Sequence, residues 1–213
     1  MTGARTTLVA LALGALAATP GSTADEPETS TVWSYAVPGH GPLQLDLPAD
    51  WDEMARDDAS HSIRFRSIGG ERCEMVLAVA WSPTPDPGFN GPDAVRAVVE
   101  RQGADLLDQI AESHVGLREL RGPQSGGYYF QVRDRAPKKR WAVVITRGAI
   151  GVGDLLVRFT VLTPQPKVAR IRQALNMIAG SRQGPAREPP PAAAPAPRTP
   201  AETEAGSGTS GER

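Results

Sequence analysis

Three histidines are the side chains best suited to metal binding or to acid–base chemistry: His40, His61 and His114. No two of them have the spacing of a local metal-binding pair. Glu112 and His114 are two residues apart, which would place them on different faces of a helix. The pattern therefore predicts surface or capping histidines and no metal site. A site that folding assembles from distant histidines and carboxylates stays open as an alternative.

No nucleophile lies in a recognisable catalytic motif. Ser125, in the segment Gly-Pro-Gln-Ser-Gly-Gly, lacks the spacing of a nucleophile elbow and precedes a predicted strand. Ser60 and His61 are adjacent in sequence, whereas the members of a catalytic triad meet in space. Cys73 lies in an apolar strand beside Glu74, and this setting disfavours a thiolate. We predict no catalytic residue; Cys73 is expected to be a core or edge thiol or, alternatively, to form a disulfide between two copies.

Glycines are concentrated in the segment Gly-Ala-Ile-Gly-Val-Gly at 148–153. Their order is the reverse of the dinucleotide-binding fingerprint, and the segment joins two predicted strands. No helix N-terminus would then be available for a phosphate. The segment therefore predicts a hairpin turn, since glycine supplies the backbone angles that such a turn requires.

Five basic residues around a proline-containing turn form the best candidate contact patch: Arg133, Arg135, Lys138, Lys139 and Arg140. We call the segment 133–140 the basic loop. Its charge would suit anionic lipid headgroups or an acidic partner. The alternative is a solvated hairpin tip whose charges discourage edge-to-edge aggregation.

Four tryptophans lie in or beside predicted strands: Trp33, Trp51, Trp81 and Trp141. Aromatic rings bury much apolar area, so packing in the core or at its rim is expected. A carbohydrate-stacking platform is the alternative, and it would require several of these rings on one exposed face.

Apolar periodicity predicts the elements that position these side chains. Strands are predicted at 33–37, 43–47, 63–66, 73–81, 115–120, 128–132, 141–146 and 155–162. One long helix is predicted from about 92 to 110 and a second from 164 to 180. Short turns between neighbouring strands favour antiparallel pairing. The predicted fold class is α+β, an antiparallel sheet flanked by helices on one or both faces.

The order of these elements also resembles a known family. The segments concerned are Leu-Asp-Leu-Pro-Ala-Asp-Trp at 45–51, Ile-Arg-Phe at 63–65, the long helix, the hairpins of 128–162 and Ala-Arg-Ile-Arg at 169–172. This layout is similar to the PsbP-like family, found in extrinsic photosystem subunits and small DcrB-like bacterial envelope proteins. The resemblance covers about residues 32–180. It implies an α-β-α sandwich acting as a binding or accessory module, and it implies no functional residue and no metal-related role here.

The two ends of the chain differ from the segment between them. Residues 1–24 combine Arg5, an uncharged apolar run and a small-residue end, the pattern of a secretory signal peptide. Residues 25–31 are expected to form a short linker and residues 32–182 a single domain. Residues 183–213 are rich in Pro, Ala and Gly and predict a disordered tail. We expect a periplasmic or secreted protein, and a lone cysteine suits a bacterial periplasm.

Charge and motif content limit the expected function. The chain has 23 Lys and Arg against 24 Asp and Glu, a balance that offers no broad field for nucleic acid. After the signal, no apolar run is long enough to cross a membrane. We expect a non-enzymatic binding or accessory module, without a cofactor, that docks to an envelope protein or cell-surface component. A small hydrolase-like enzyme or a small-ligand carrier is the alternative, and the oligomeric state stays open.

Overall fold

The computed structural model describes residues 30–166 and 169–185. The predicted signal peptide, most of the predicted linker and most of the predicted tail lie outside the described residues. In chain order the elements are β1 Ser30–Tyr35, β2 Leu43–Pro48, β3 Trp51–Asp57, β4 Ser62–Ser67, β5 Glu74–Trp81, α1 Pro92–Ala104, β6 Arg118–Arg121, β7 Ser125–Arg133, β8 Val144–Val152, β9 Leu155–Thr163, α2 Ala169–Ala179 and β10 Arg182–Gln183. Neither helix is long and apolar enough to cross a membrane.

The described strands form two sheets. The large sheet has seven strands in the order β3-β4-β5-β9-β8-β7-β6, and the small sheet has three in the order β1-β2-β10. Every pairing in both sheets is antiparallel, as the short turns predict. We call the face of the large sheet that carries Phe65, Leu77 and Phe159 its inner face and the opposite face its outer face.

The predicted α+β sandwich, a sheet flanked by helices, is wrong. The structure is β-rich, with ten strands and two short helices, and much of the layer on the inner face is the small sheet. The chain passes from the small sheet to the large one at Ala49 and Asp50, between β2 and β3. Period-two alternation identifies a strand and its buried side, but it does not say to which sheet the strand belongs.

The main core lies on the inner face. Leu43 and Leu45 of β2 are fully buried in it, while Asp46 is exposed, so the alternation predicted for this strand is confirmed. The core joins the small sheet, the inner face and α2 in one cluster: Tyr35, Leu43, Leu45, Phe65, Leu77, Ile150, Phe159, Ala174, Met177 and Ile178. Polar contacts also hold α2 in place, among them the Arg170–Asp50 ion pair. The indole nitrogen of Trp51 donates to Gln173 (2.8 Å), and the Ser125 hydroxyl donates to the Ala179 carbonyl (2.6 Å).

A second, smaller core lies under α1 on the outer face. Val95 and Val99 of the helix pack against Phe130, Ala149 and other residues of β7, β8 and β9. The helix ends at Ala104, earlier than predicted. The apolar residues Leu106 and Ile110 are nevertheless buried in this core from the turns that follow. The apolar spacing thus predicted their burial correctly and their conformation wrongly.

The predicted glycine turn at 148–153 is wrong for most of its length. Strand β8 continues through Gly148 to Val152, and the turn consists of Gly153 and Asp154 alone. Gly153 has φ of 59°, which suits the first position of a two-residue hairpin. Gly148 is required by close approach, because a Cβ there would lie 2.5 Å from Cζ of Phe159 and 2.4 Å from the Tyr128 carbonyl oxygen.

The last described segment is joined to the rest of the domain through Gln183, the first residue of the predicted tail. Gln183 pairs with Leu43 in the small sheet, and the amide of Gly184 donates to the Pro42 carbonyl (2.8 Å). The Gln183 side chain also accepts a hydrogen bond from the Asp154 amide (3.0 Å). These contacts connect the last described segment to the β8–β9 turn.

Two shortened chains test this connection. We expect a chain ending at Arg182 to melt below a chain ending at Pro185, because only the longer one keeps the contacts of Gln183 and Gly184. The lost hydrogen bonds correspond to about 1–2 kcal/mol, or roughly 4 °C in Tm. Calorimetry or circular dichroism measures the difference, and equal melting temperatures would contradict the role of Gln183.

Candidate functional site

The structure gathers two of the three histidines around Trp81. The ring centroids of His61 and His40 lie 4.5 Å and 5.9 Å from that of Trp81. Nδ1 of His61 is 3.3 Å from the Tyr35 hydroxyl. His114 is exposed in the loop after α1 and joins neither. Within residues 30–166 and 169–185, no three His, Cys, Asp or Glu side chains are grouped so as to hold a metal ion.

His40 forms the one histidine–carboxylate pair in this part of the chain. Its Nδ1 lies 2.6 Å from Oδ2 of Asp154, beside an open depression of about 740 Å³ that Trp81, Asp86 and Asn90 also line. Partial burial raises the pKa of Asp154, but hydrogen bonds from His40 and Gln183 outweigh it, so the pKa lies below its ordinary value. Such a pair can orient an imidazole for proton transfer.

The candidate nucleophiles have structural roles away from His40. The Ser125 hydroxyl is bonded to the Ala179 carbonyl at the end of α2. Cys73 is fully buried and unpaired, and burial raises the pKa of its thiol to about 12. The prediction of a core thiol is therefore confirmed. Among the described residues, Asp154 is the only side chain that hydrogen bonds to His40.

The tryptophans pack against other side chains. Trp51 is buried, and the half-buried Trp33 contacts Phe65 edge-on with ring centroids 5.0 Å apart. The guanidinium of Arg72 lies 4.0 Å from the ring centroid of Trp141. The predicted packing in the core or at its rim is confirmed for Trp33, Trp51 and Trp81, whereas Trp141 lies against Arg72 and Lys139 and belongs to neither described core.

The basic loop is anchored to the large sheet by one of its own lysines. Lys139 lies 3.1 Å from one carboxylate oxygen of Glu74, and Arg72 lies 3.0 Å from the other. Glu74 belongs to β5, and its carboxylate is almost fully buried. Burial raises the pKa of Glu74, but the hydrogen bonds and charges of Lys139 and Arg72 outweigh it and lower the pKa below its ordinary value. Lys139 is therefore engaged by Glu74, although this single carboxylate is shared with Arg72.

The remaining residues of the predicted patch differ in their surroundings. Arg135 donates to the Asp108 carbonyl (3.3 Å), and the backbone amide of Arg133 donates to Glu112 (2.9 Å). Lys138 and Arg140 are exposed, and neither side chain has a hydrogen bond or ion pair within the described residues. The side chain of Arg133 is likewise exposed without such a partner, but its position opposite Val144 places it on the inner side of the large sheet. We therefore take Lys138 and Arg140 as the contribution of the basic loop to the candidate site.

Three arginines of the large sheet extend this positive charge. Arg64, Arg147 and Arg158 project from the outer face, on β4, β8 and β9, and none of them has a salt bridge to a described residue. Helix α1 covers the outer face over β7 and β8, which leaves these side chains beside its edge. We call Arg64, Lys138, Arg140, Arg147 and Arg158 the cationic face.

The strand register fixes how these arginines are arranged. Arg147 is opposite Thr160, Thr160 is opposite Val76, and Val76 is opposite Arg64, so these four side chains form one row across four strands. Arg158 lies in the next row, opposite Ala78 and Ala149. The side chains between the arginines are small or β-branched, so the guanidinium groups stand above their neighbours.

Arg64, Arg147 and Arg158 are not among the site residues predicted from the sequence. The predicted strand 141–146 ends one residue before Arg147, whereas Arg147 lies inside β8. Arg64 alternates with Ile63 and Phe65, and Arg158 alternates with Val157 and Phe159. This alternation was a usable signal, because it puts each arginine on the solvent side of a strand whose other side is buried.

Comparisons with known proteins give no family. No protein-family model and no curated protein match the chain. A solved crystal structure from Bacteroides thetaiotaomicron VPI-5482 is similar to 66% of this chain, at 14% sequence identity and a TM-score of 0.33. The matched region covers 44% of that protein, so this chain spans less than half of its length.

Replacing Lys139 tests whether the Glu74 cluster anchors the basic loop. We expect Lys139→Met to lower the free energy of unfolding by about 1 kcal/mol near pH 7, while Lys138→Met leaves it unchanged. The pKa of Glu74 is lowered in the folded state, so the stabilisation is present above its ordinary value of 4.5 and lost as the pH falls below it. Urea unfolding near pH 7 and near pH 3 measures both effects.

Two results would contradict this role of Lys139. One is an equal loss of stability in the Lys138→Met variant, since Lys138 makes no contact with Glu74. The other is a difference between wild type and Lys139→Met that is as large in acid as at neutral pH. Arg72 remains beside Glu74 in both variants, so neither leaves a buried carboxylate without a cation.

Proposed function

We propose that this protein is an exported, non-enzymatic binding module that docks to an acidic segment of an envelope protein through its cationic face. The observation that carries the proposal is a group of cations that have no ion pair with any described residue: Arg64, Lys138, Arg140, Arg147 and Arg158. The rest of the molecule pairs many of its charges, including Arg66 with Asp52 and Arg182 with Asp46.

Charge complementarity determines the kind of partner. Carboxylates of an acidic segment can each accept two hydrogen bonds from one guanidinium, a geometry that lysine does not offer. The whole chain has a net charge of −1, so the attraction is local to this face. Local positive charge of this kind increases association rates and orients the partner, and its effect falls with added salt.

The support behind this face is rigid. Strands β5, β9 and β8 are held on the inner side by the main core and are each paired on both edges. The space between α1 and the sheet is filled by apolar side chains of the second core. This packing favours a preformed docking surface over a carrier with a ligand cavity between helix and sheet. The accessory role that the PsbP-like resemblance implied is kept as part of this proposal, without the α-β-α sandwich, which the structure contradicts.

A hydrolytic enzyme is the second candidate function, and the His40–Asp154 pair is the observation that favours it. A carboxylate-oriented imidazole beside an open depression could activate a water molecule as a general base. Without a nucleophile bonded to His40 among the described residues, the mechanism would be limited to direct attack by water.

Crosslinking in cells tests the docking proposal. We expect the full-length protein to capture one dominant envelope partner with an acidic segment. A Lys138→Glu/Arg140→Glu variant should lose at least about 90% of that product, because a reversed charge repels the carboxylates. The crosslinked proteins are identified and quantified by mass spectrometry.

The matched control is Arg118→Glu/Arg172→Glu, which makes the same change in net charge. Arg118 on β6 and Arg172 on α2 are exposed and lie toward the inner side of the large sheet. Capture should persist in this control. Equal loss in both variants, or no specific partner with wild type, would reject docking through the cationic face.

An ester-hydrolysis assay separates the two candidate functions. With p-nitrophenyl esters, we expect the purified protein and a His40→Ala variant to give the same slow background rate, because the binding module has no catalytic role for His40. A wild-type rate more than about 100-fold above that of the variant would instead identify His40 as a general base. Matching melting curves would show that both proteins are folded.

A further inference from the structure

A small depression lies on the outer face where α1 ends. Its volume is about 210 Å³, and strands β5, β8 and β9 form its floor. Its lining combines apolar, cationic and polar side chains: Val76, Ala78, Gln102, Arg147, Arg158 and Thr160. It is separate from the depression beside His40.

Arg147 is a half-buried cation without a counter-ion in this part of the chain. Its Nε donates to the Thr160 hydroxyl at 3.3 Å, and its two terminal nitrogens have no hydrogen-bond partner among the described residues. Burial lowers the pKa of Arg147, and the negative charge of Asp105 acts in the opposite direction. A partly desolvated guanidinium with four unused N–H groups is a ready donor for an anion.

Arg158 lies diagonally across the β8–β9 pair from Arg147. Arg158 is opposite Ala149, and Ala149 is two residues from Arg147 on the same face. Diagonal neighbours in an antiparallel pair have Cβ atoms about 7 Å apart, within reach of two long side chains. Two guanidinium groups can therefore contact one small anion from two sides.

Gln102 adds an acceptor to the same depression. This residue belongs to the last turn of α1, and its side-chain oxygen is buried without a hydrogen-bond partner. A buried acceptor left unpaired destabilises the folded protein, because it has lost its hydrogen bonds to water. A ligand that brings its own donor would remove this destabilisation.

We propose that the depression binds a small phosphate-class anion that retains one O–H, of which hydrogen phosphate is the simplest. Arg147 and Arg158 donate to its oxygens, and Gln102 accepts from its O–H. Sulfate has the same shape and charge but no proton at neutral pH, so it would leave the Gln102 oxygen unpaired. The site therefore discriminates between two nearly identical anions.

Arg147 and Arg158 also belong to the cationic face, so the depression lies within the proposed docking surface, but the two proposals are tested by different variants. Lys138 and Arg140, whose reversal tests docking, do not line the depression. The Lys138→Glu/Arg140→Glu variant is expected to lose partner capture and still to bind phosphate. Failure of phosphate binding leaves the docking experiment unchanged.

The test is a titration of the full chain with inorganic phosphate or sulfate, followed by amide NMR shifts. We expect shifts at Gln102, Arg147 and Thr160 with a Kd of about 1 mM or tighter, and at least about tenfold weaker binding of sulfate. Arg147→Met should weaken phosphate binding at least about tenfold. Gln102→Met should remove the preference over sulfate while the protein still binds both anions.

The matched control is Arg64→Met, which removes an arginine from the same face outside the depression; it should bind phosphate as wild type does. Retained melting temperatures exclude unfolding as the cause of any loss. Equal affinity for the two anions, or equal weakening by Arg64→Met, would overturn the site. A flotation assay with phosphatidic acid vesicles tests the lipid source, because the phosphomonoester of this lipid can retain one O–H. Binding to vesicles that Arg147→Met abolishes, without binding of free phosphate, would also overturn it.

Discussion

The contact between Gly148 and Phe159 is the constraint on which the centre of the molecule depends. The two residues are opposite each other on β8 and β9, and the Phe159 ring occupies the space that any side chain at 148 would need. This approach lets β8 run unbroken for nine residues beside β9. A larger residue at 148 would displace either the ring or the Tyr128 backbone behind it, and the pairing with β7 and β9 would then be lost at that point.

The two faces of the large sheet are covered to different extents. Its inner side is closed by the small sheet and α2, which remove Phe65, Phe159 and their neighbours from water. Its outer side is covered by α1 over β7 and β8 and is partly open beyond that helix. Arginines are suited to such a place, because their long stems cover apolar strand residues while the guanidinium groups stay in water.

The sequence predicted most of the strands and much of the core, since both depend on local patterns. Alternation placed Leu43 and Leu45 in the core, and the apolar setting of Cys73 indicated an inert thiol. The layers and the candidate site were not predictable in this way, because they depend on contacts between distant segments. The sequence does not distinguish a glycine that permits close packing from one that forms a turn. Gly148 was therefore taken as part of a turn, and the predicted strand ended before Arg147, which lies within β8.

The small sheet joins the two ends of the described chain, since β1 and β10 both pair with β2. Strand β10 is the last of these elements to be synthesised. The β1–β2 hairpin can form early, but the contacts of Gln183 with Leu43 and the β8–β9 turn are available only once the chain is nearly complete. The native sheet is thus finished after synthesis has passed residue 183. A chain that ends before this residue lacks the last strand of the small sheet and its link to the β8–β9 turn, so it is less stable than the finished domain.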